Sequence, residues 1–263
     1  MSTVPETTHS DAIASVPNKR STASPTSLRV DDQFFVAIAI FILGTVFLGF
    51  ARTFYLAGIY HTHVPNLLIA VHGTVFTAWI VLLVVQTGLV AGRRIALHRT
   101  LGLFGAVLAA SMVVLGLTAA TDSLARGFAP PGFPFGPRVF YATPVFAMIT
   151  FATLIGAGLW MRSNGPAHKR LVLLATITLL PAAIGRWPFA VITRVHFLPN
   201  LILDLMVLLI AAFDVWSLRR IHRATMRGGI ILILTVNLAV PAGATSAWQR
   251  FAGLALRFWQ GWH

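Results

Sequence analysis

From Phe34 onward the chain alternates between long apolar runs and short polar connections. The runs cover residues 34–56, 67–91, 101–121, 139–161, 171–193, 199–216 and 229–247. Each approaches the roughly 20 residues that carry a helix across about 30 Å of hydrocarbon. The sixth run is short and the seventh contains Asn237 and Pro241, so the pattern predicts six full spans and a weaker seventh. The predicted fold is all-α, a polytopic transmembrane helical bundle over residues 33–247. Residues 1–32 are rich in Ser, Thr and Pro and have no apolar core, which predicts a disordered, solvated tail and not a cleaved signal peptide. Residues 248–263 interleave Trp, Phe and Arg, a composition suited to a membrane interface.

Composition agrees with the pattern: 57% of residues are hydrophobic and only 10% charged, with a mean hydropathy of +0.80, beyond what a soluble core needs. The absence of cysteine excludes disulfides, thiolate metal sites, iron–sulfur clusters and covalent c-type haem. The net charge of +13 is distributed by topology. With the N terminus inside, the inner segments hold Lys19, Arg20, Arg29, Arg93, Arg94, Arg99, Arg162, Lys169, Arg170, Arg219, Arg220, Arg223 and Arg227, and the outer connections between runs hold Arg52, Arg126, Arg138 and Arg194. This is the positive-inside asymmetry. It predicts that the N terminus is cytoplasmic. Charge split among short membrane-edge loops offers no basic domain for nucleic acid. The only lysines are Lys19 and Lys169, so a retinal Schiff base in a late helix is excluded, and no Gly-x-x-x-x-Gly-Lys loop is present for ATP.

Two segments repeat a His-basic-x-Leu pattern at the mouth of an apolar run: "HRTLG" at 98–102 and "HKRLVLLA" at 168–175. Both fall on the inner side at similar depth, so His98 and His168 can face one another. At 100° per residue His98 shares a face with Gly102, Gly105, Ala109, Met112 and Gly116, and His168 shares one with Ala175, Leu179, Ala182 and Arg186. Two readings follow. In one, the small residues pack helix backbones together and the histidines are interfacial anchors. In the other, His98 and His168 are axial ligands of a b-type haem, with Arg99, Lys169 or Arg170 on its propionates. Asp214, near the same depth, either orients an imidazole or pairs with Arg219, the latter being the simpler arrangement.

A second polar group gathers toward the outer side. His72 lies five residues into its run, about 7–8 Å along the axis, with Trp79 and Gln86 on its face. It is a candidate second haem ligand, proton relay or metal ligand, although no His-x-x-His or His-Glu spacing marks a dedicated zinc or di-iron site. Arg186 and Asp204, each near the outer end of neighbouring runs, form a natural ion pair, structural or functional. His61, His63, His196 and Arg52 are further candidates there. The loop 121–138, rich in Pro, Gly and Phe, is expected to cover this cluster. Residues 67–121 and 139–193 form a weak internal repeat offset by 70, broken where His72 meets Ala142.

The string "VHGTVFTAWIVLLVVQTGLVAGRRIALHRTLG", then "AHKRLVLLATITLLPAAIGRWP" and "ATSAWQRFAG", resembles a group of bacterial polytopic membrane proteins of unassigned activity that carry the same HRxLG and HKRLxLLA motifs in the same order. More loosely it is similar to di-haem cytochrome b proteins of the ascorbate and ferric reductase type, in which histidines of neighbouring helices bind haem. It departs from that pattern in lacking four histidines in two transmembrane pairs. The resemblance implies haem b held by His98, His168 and His72, with electron transfer to a redox partner or other membrane subunit, or haem handling. The alternative from a different class is a membrane scaffold or small-solute carrier without a cofactor.

Overall fold

The computed structural model describes residues 25–261. Its helices are α1 (Pro25–Phe50), continued by a π-helical turn (Ala51–Tyr55), α2 (Leu67–Ala91), α3 (Ile95–Ala125), α4 (Pro137–Phe140), α5 (Ala142–Trp160), α6 (Gly165–Ile177), α7 (Pro181–Ile184), α8 (Ala190–Arg194), α9 (Leu198–Leu218), α10 (Arg223–Gly243) and α11 (Ser246–Gln260). Seven helical stretches are long and apolar enough to cross a membrane: 30–55, 67–91, 95–125, 137–160, 165–184, 198–218 and 223–243. The protein is an all-α polytopic bundle, and the seventh run is a span like the others despite Asn237 and Pro241. Pro241 sits in the last turn of α10, where little helix remains to be broken.

Several helices begin before their apolar runs, because polar first turns extend the helix beyond the hydrocarbon-facing part. α3 takes in residues 95–100 and α6 residues 165–170, so His98 and His168 lie in first turns of helices. α1 starts at Pro25, a residue suited to a first helical position, so the tail boundary expected at residue 32 falls inside a helix. Residues 1–24 of that tail lie outside the described residues.

Helix α6 is the central element. Leu171, Leu173, Leu174, Ala175, Thr176 and Ile177 are all buried, as expected of a helix apolar on every side. It packs against α5 and α10, while α2 and α3 pair and α1 lies on α2 and α7. Leu203 and Ile210 of α9, Phe151 of α5, Met112 of α3 and Ile42 of α1 complete one core. Within it Trp79 Nε1 donates to Thr176 Oγ1 at 3.1 Å and Thr150 to Thr235 at 2.8 Å, hydrogen bonds between helices of the kind that polar side chains make where water is absent.

The expected span 171–193 is interrupted. Pro181 has no N–H to continue the ladder, and the chain tightens through 3.1 and 3.0 Å bonds from Leu179 N to Thr176 O and from Leu180 N to Ile177 O before α7 forms. α7 then meets α1 at Gly49, where a Cβ would lie 2.2 Å from the Ala183 carbonyl oxygen. Only glycine permits this crossing. The bundle thus has a basic end, carrying the 93–99, 162–170 and 219–227 segments, and a far end with the π-turn, α7, α8, α4 and α11. Helix α11 packs on α3 and α4 and exposes Phe251, Leu254 and Phe258.

Candidate functional site

At the basic end the chain between α2 and α3 turns through Arg93, whose φ is +61°, and sets His98 in the first turn of α3. Gln86 of α2 donates to the His98 carbonyl at 3.2 Å. The His98 Nδ1 and the Gln86 Oε1 are both buried without a hydrogen-bond partner. Across from them Asn164 caps α6 by accepting from Ala167 N at 3.3 Å, which places His168 one residue further on. Its Nδ1 lies 2.8 Å from the Gly158 carbonyl of α5. A carbonyl only accepts, so Nδ1 carries the proton and Nε2 of the neutral ring keeps its lone pair. The two rings approach to 6.3 Å between centroids with planes at 80°. The expected pair therefore forms.

The basic residues beside the pair do not stand free as expected. Lys169 makes an ion pair with Asp31 and lies 4.5 Å over the Phe35 ring. Arg170 is 1% exposed. Its Nε donates to Asp214 Oδ1 at 2.9 Å, its Nη2 donates to the same oxygen, and Nη1 donates to the Pro166 carbonyl at 3.0 Å. The other Asp214 oxygen accepts from Thr225 Oγ1 at 2.5 Å and from His222 N at 3.1 Å. Asp214 therefore neither orients an imidazole nor pairs with Arg219. Arg219 ends α9 in the left-handed region at φ +57°, and the helix rotation turns Asp214 toward α6 and α10. His222 caps α10, its Nδ1 accepting from Ala224 N at 3.1 Å. Burial first, and then the Arg170 charge, hold this imidazole below its ordinary pKa.

The small-residue stripe below His98 is occupied by neighbouring side chains. A Cβ on Gly105 would lie 3.1 Å from Leu82 Cδ2, and one on Gly116 2.2 Å from Met148 Sδ and 3.3 Å from Phe76, while Ala109 and Met112 are buried in the core. Deeper than the first turn the stripe is therefore a packing surface. At Gly102 a Cβ would lie 3.8 Å from Gln86 Nε2, an ordinary contact.

At the far end the expected Arg186–Asp204 pair does not form. The interruption of α6 carries Arg186 past α7 and over α1, where its guanidinium lies 5.0 Å above the Phe50 ring and Nη1 donates to the Ala182 carbonyl at 2.6 Å. Asp204 instead accepts from Asn237 Nδ2 at 3.2 and 3.1 Å, joining α9 to α10. His72 stacks on Phe76 at 4.0 Å, with Nδ1 buried and unpartnered. It is far along α2 from the His98–His168 pair. His196 contacts the Gly132 carbonyl, so the 121–138 loop reaches the α8–α9 connection, and Arg52 lies 5.3 Å over Tyr60. Among the described residues no group of three or more His, Cys, Asp or Glu is placed to hold a metal ion.

Sequence reasoning missed Asp31, His222, Thr225 and the Gln86 contact. Asp31 sits in the second turn of α1, and His222 and Thr225 at the start of α10; a signal was present in the "IHRAT" segment that opens α10, where a histidine stands at a cap position. Comparison of the chain with family models, curated proteins and solved structures gives no significant match.

Proposed function

We propose that the protein is a membrane b-type haem protein in which His98 and His168 are the two axial ligands. The observation that carries this reading is the spacing of the rings. A metal–nitrogen bond of about 2 Å, with about 1.1 Å from ring nitrogen to ring centre, puts two imidazoles on opposite sides of one ion about 6.2 Å apart, and tetrahedral ligands only about 5 Å. The observed 6.3 Å fits opposed ligation, and planes at 80° are compatible with one shared axis. The hydrogen bond from His168 Nδ1 to Gly158 is the outer contact that orients a ligating imidazole and raises its basicity, and the buried His98 Nδ1 beside Gln86 has the same requirement unmet.

The packing around the pair limits the fit. Leu82, Met148 and Phe76 fill the stripe beyond Gly102, and Lys169 and Arg170 are engaged by carboxylates. Arg99, exposed one residue from His98, is the cation left for a propionate. A haem ligated by two histidines supplies one-electron transfer and no open coordination position. The residues of this chain hold and orient it, and no substrate site at iron is implied. On this reading the basic end faces the cytoplasm of a bacterium, and the electrons pass to a redox partner or another membrane subunit.

The filled stripe favours a second reading, a cofactor-free scaffold or small-solute carrier in which the histidines serve packing. Oxidised and dithionite-reduced spectra of protein purified from haem-supplemented cells separate the two. A stoichiometric b-type spectrum, lost in both His98→Ala and His168→Ala, is expected. A colourless wild-type protein sinks the haem reading and leaves the second.

A further inference from the structure

Helix α11 presents three different faces. Ala252, with Trp248 and Leu256 beside it, packs on Ala120 and Leu124 of α3 and on Tyr141. Trp248 Nε1 also donates to the Arg138 carbonyl at 2.9 Å, which ties α11 to α4. Phe251 and Leu254 form a second, exposed apolar face. Arg250, Gly253 and Arg257, spaced i, i+3 and i+7, fall on a third, and both arginines are exposed.

The third face is the floor of an open cleft of about 660 Å³, lined by Arg250, Gly253, Arg257 and Gln260 together with Arg138 of α4. That volume is in the range of sites that hold one small molecule. A second cleft of about 440 Å³ shares Arg138 and Leu256 with it and adds the apolar walls Leu124, Phe135 and Pro137. Glycine is a poor residue inside a helix, and no packing requires it here: a Cβ on Gly253 would meet nothing within 4 Å. Its effect is to leave the floor bare between two arginines that lie about 10 Å apart along the helix axis.

The three guanidinium groups have no counter-charge among the described residues. Helix α11 contains no acid. Asp122 is with Arg126, Asp31 with Lys169 and Asp214 with Arg170. Asp204 is with Asn237, and Asp32 lies near Lys169 and Arg93 at the basic end. The cluster also stands at the far end of the bundle, since α11 follows the span that starts at Arg223. The positive-inside bias works against collecting cations there, so topology does not account for them.

We propose that this cleft holds the head group of an anionic phospholipid of the surrounding bilayer, its phosphate among Arg138, Arg250 and Arg257 and its chains along the Phe251 and Leu254 face. Guanidinium forks match phosphate oxygens. An apolar face beside a row of cations on one helix is the arrangement of a helix lying in the membrane interface, where each cation adds to the attraction for anionic lipid. The apolar face favours a lipid over a free phosphate ion, which has nothing to place there. The site is independent of the haem reading.

The chain has no cysteine, so Gln260→Cys at the edge of the cleft supplies a unique thiol for a fluorophore. The full chain so labelled, in phosphatidylcholine nanodiscs, is exposed to phosphatidylglycerol or phosphatidylcholine carrying a nitroxide near the head of one acyl chain. Quenching by the two at equal mole fraction reads which lipid sits at the cleft. A preference for phosphatidylglycerol of about fivefold or more is expected, collapsing at about 1 M salt. Arg250→Gln combined with Arg257→Gln should bring it below about twofold. Gly253→Leu should lower it by filling the floor, and Arg219→Gln with Arg220→Gln, at the basic end, should leave it unchanged. Equal quenching by the two lipids overturns the proposal, and so does a preference that survives the paired substitution at Arg250 and Arg257. Displacement by inorganic phosphate at constant ionic strength also overturns it, assigning the cleft to a soluble anion. The salt dependence needs no variant, and a preference unchanged at about 1 M salt overturns the proposal equally.

Discussion

Arg170 and Arg186 lie on the same stretch of chain, at opposite ends of one interrupted span, and meet opposite treatment. Around Arg170 a carboxylate, a hydroxyl, a backbone amide and a carbonyl complete one network joining α6, α9 and α10. Around Arg186 there is one carbonyl and a ring. A charge sealed from water must be satisfied by the protein, whereas Arg186 is exposed and can be satisfied by water. The difference separates an arginine that holds helices together from one that stands at the bundle's edge.

The largest effect is expected from breaking the closed network. Arg170→Met leaves Asp214 buried without its cation and should cost about 3–5 kcal/mol, read as loss of folded protein in detergent. Arg170→Met combined with Asp214→Leu should recover part of that loss, because the uncompensated charge is gone. If the single and double variants are equally unstable, the pair is not the element that matters. At the other end Gly49→Ala drives a methyl into the Ala183 carbonyl and should cost about 1–3 kcal/mol. Any haem spectrum should stay unchanged, because α7 lies at the opposite end of the bundle from His98 and His168.

Thr225→Val deletes one hydrogen bond to the Asp214 carboxylate and should cost about 1.5–3 kcal/mol, measured by thermal unfolding against wild type. A neutral result would show that water replaces the hydroxyl there.

The smallest effect is a pH dependence. The His222 pKa is lowered on folding from its ordinary 6.5, so the unfolded chain binds this proton more readily. Its contribution to stability is full above about pH 6.5 and is lost as the pH falls through the lower folded value. His222→Asn keeps a cap acceptor and should flatten the unfolding profile between about pH 7.5 and pH 5. An identical slope in wild type and variant would assign the titration to another group.

Much of the site's composition was legible in the chain, and less of its pairing. His98 and His168 meet because each follows a helix start at the same end of the bundle, a placement that the apolar runs alone predict. Arg186 and Asp204 were matched by depth alone, and depth says nothing about the rotation of each helix. Asp214 was assigned to its neighbour Arg219, while its actual partner is 44 residues away.

Hydropathy along the chain determined the all-α membrane class, the number of runs and the end at which most basic residues collect, because lipid imposes a length and a polarity on every span independently of its neighbours. The tertiary structure decided which charges are answered, that the glycine stripe below His98 is filled by Leu82 and Met148, and that the fifth span breaks before Arg186. Those outcomes depend on helix rotation and close crossings such as Gly49 on Ala183, which arise only when several helices pack at once.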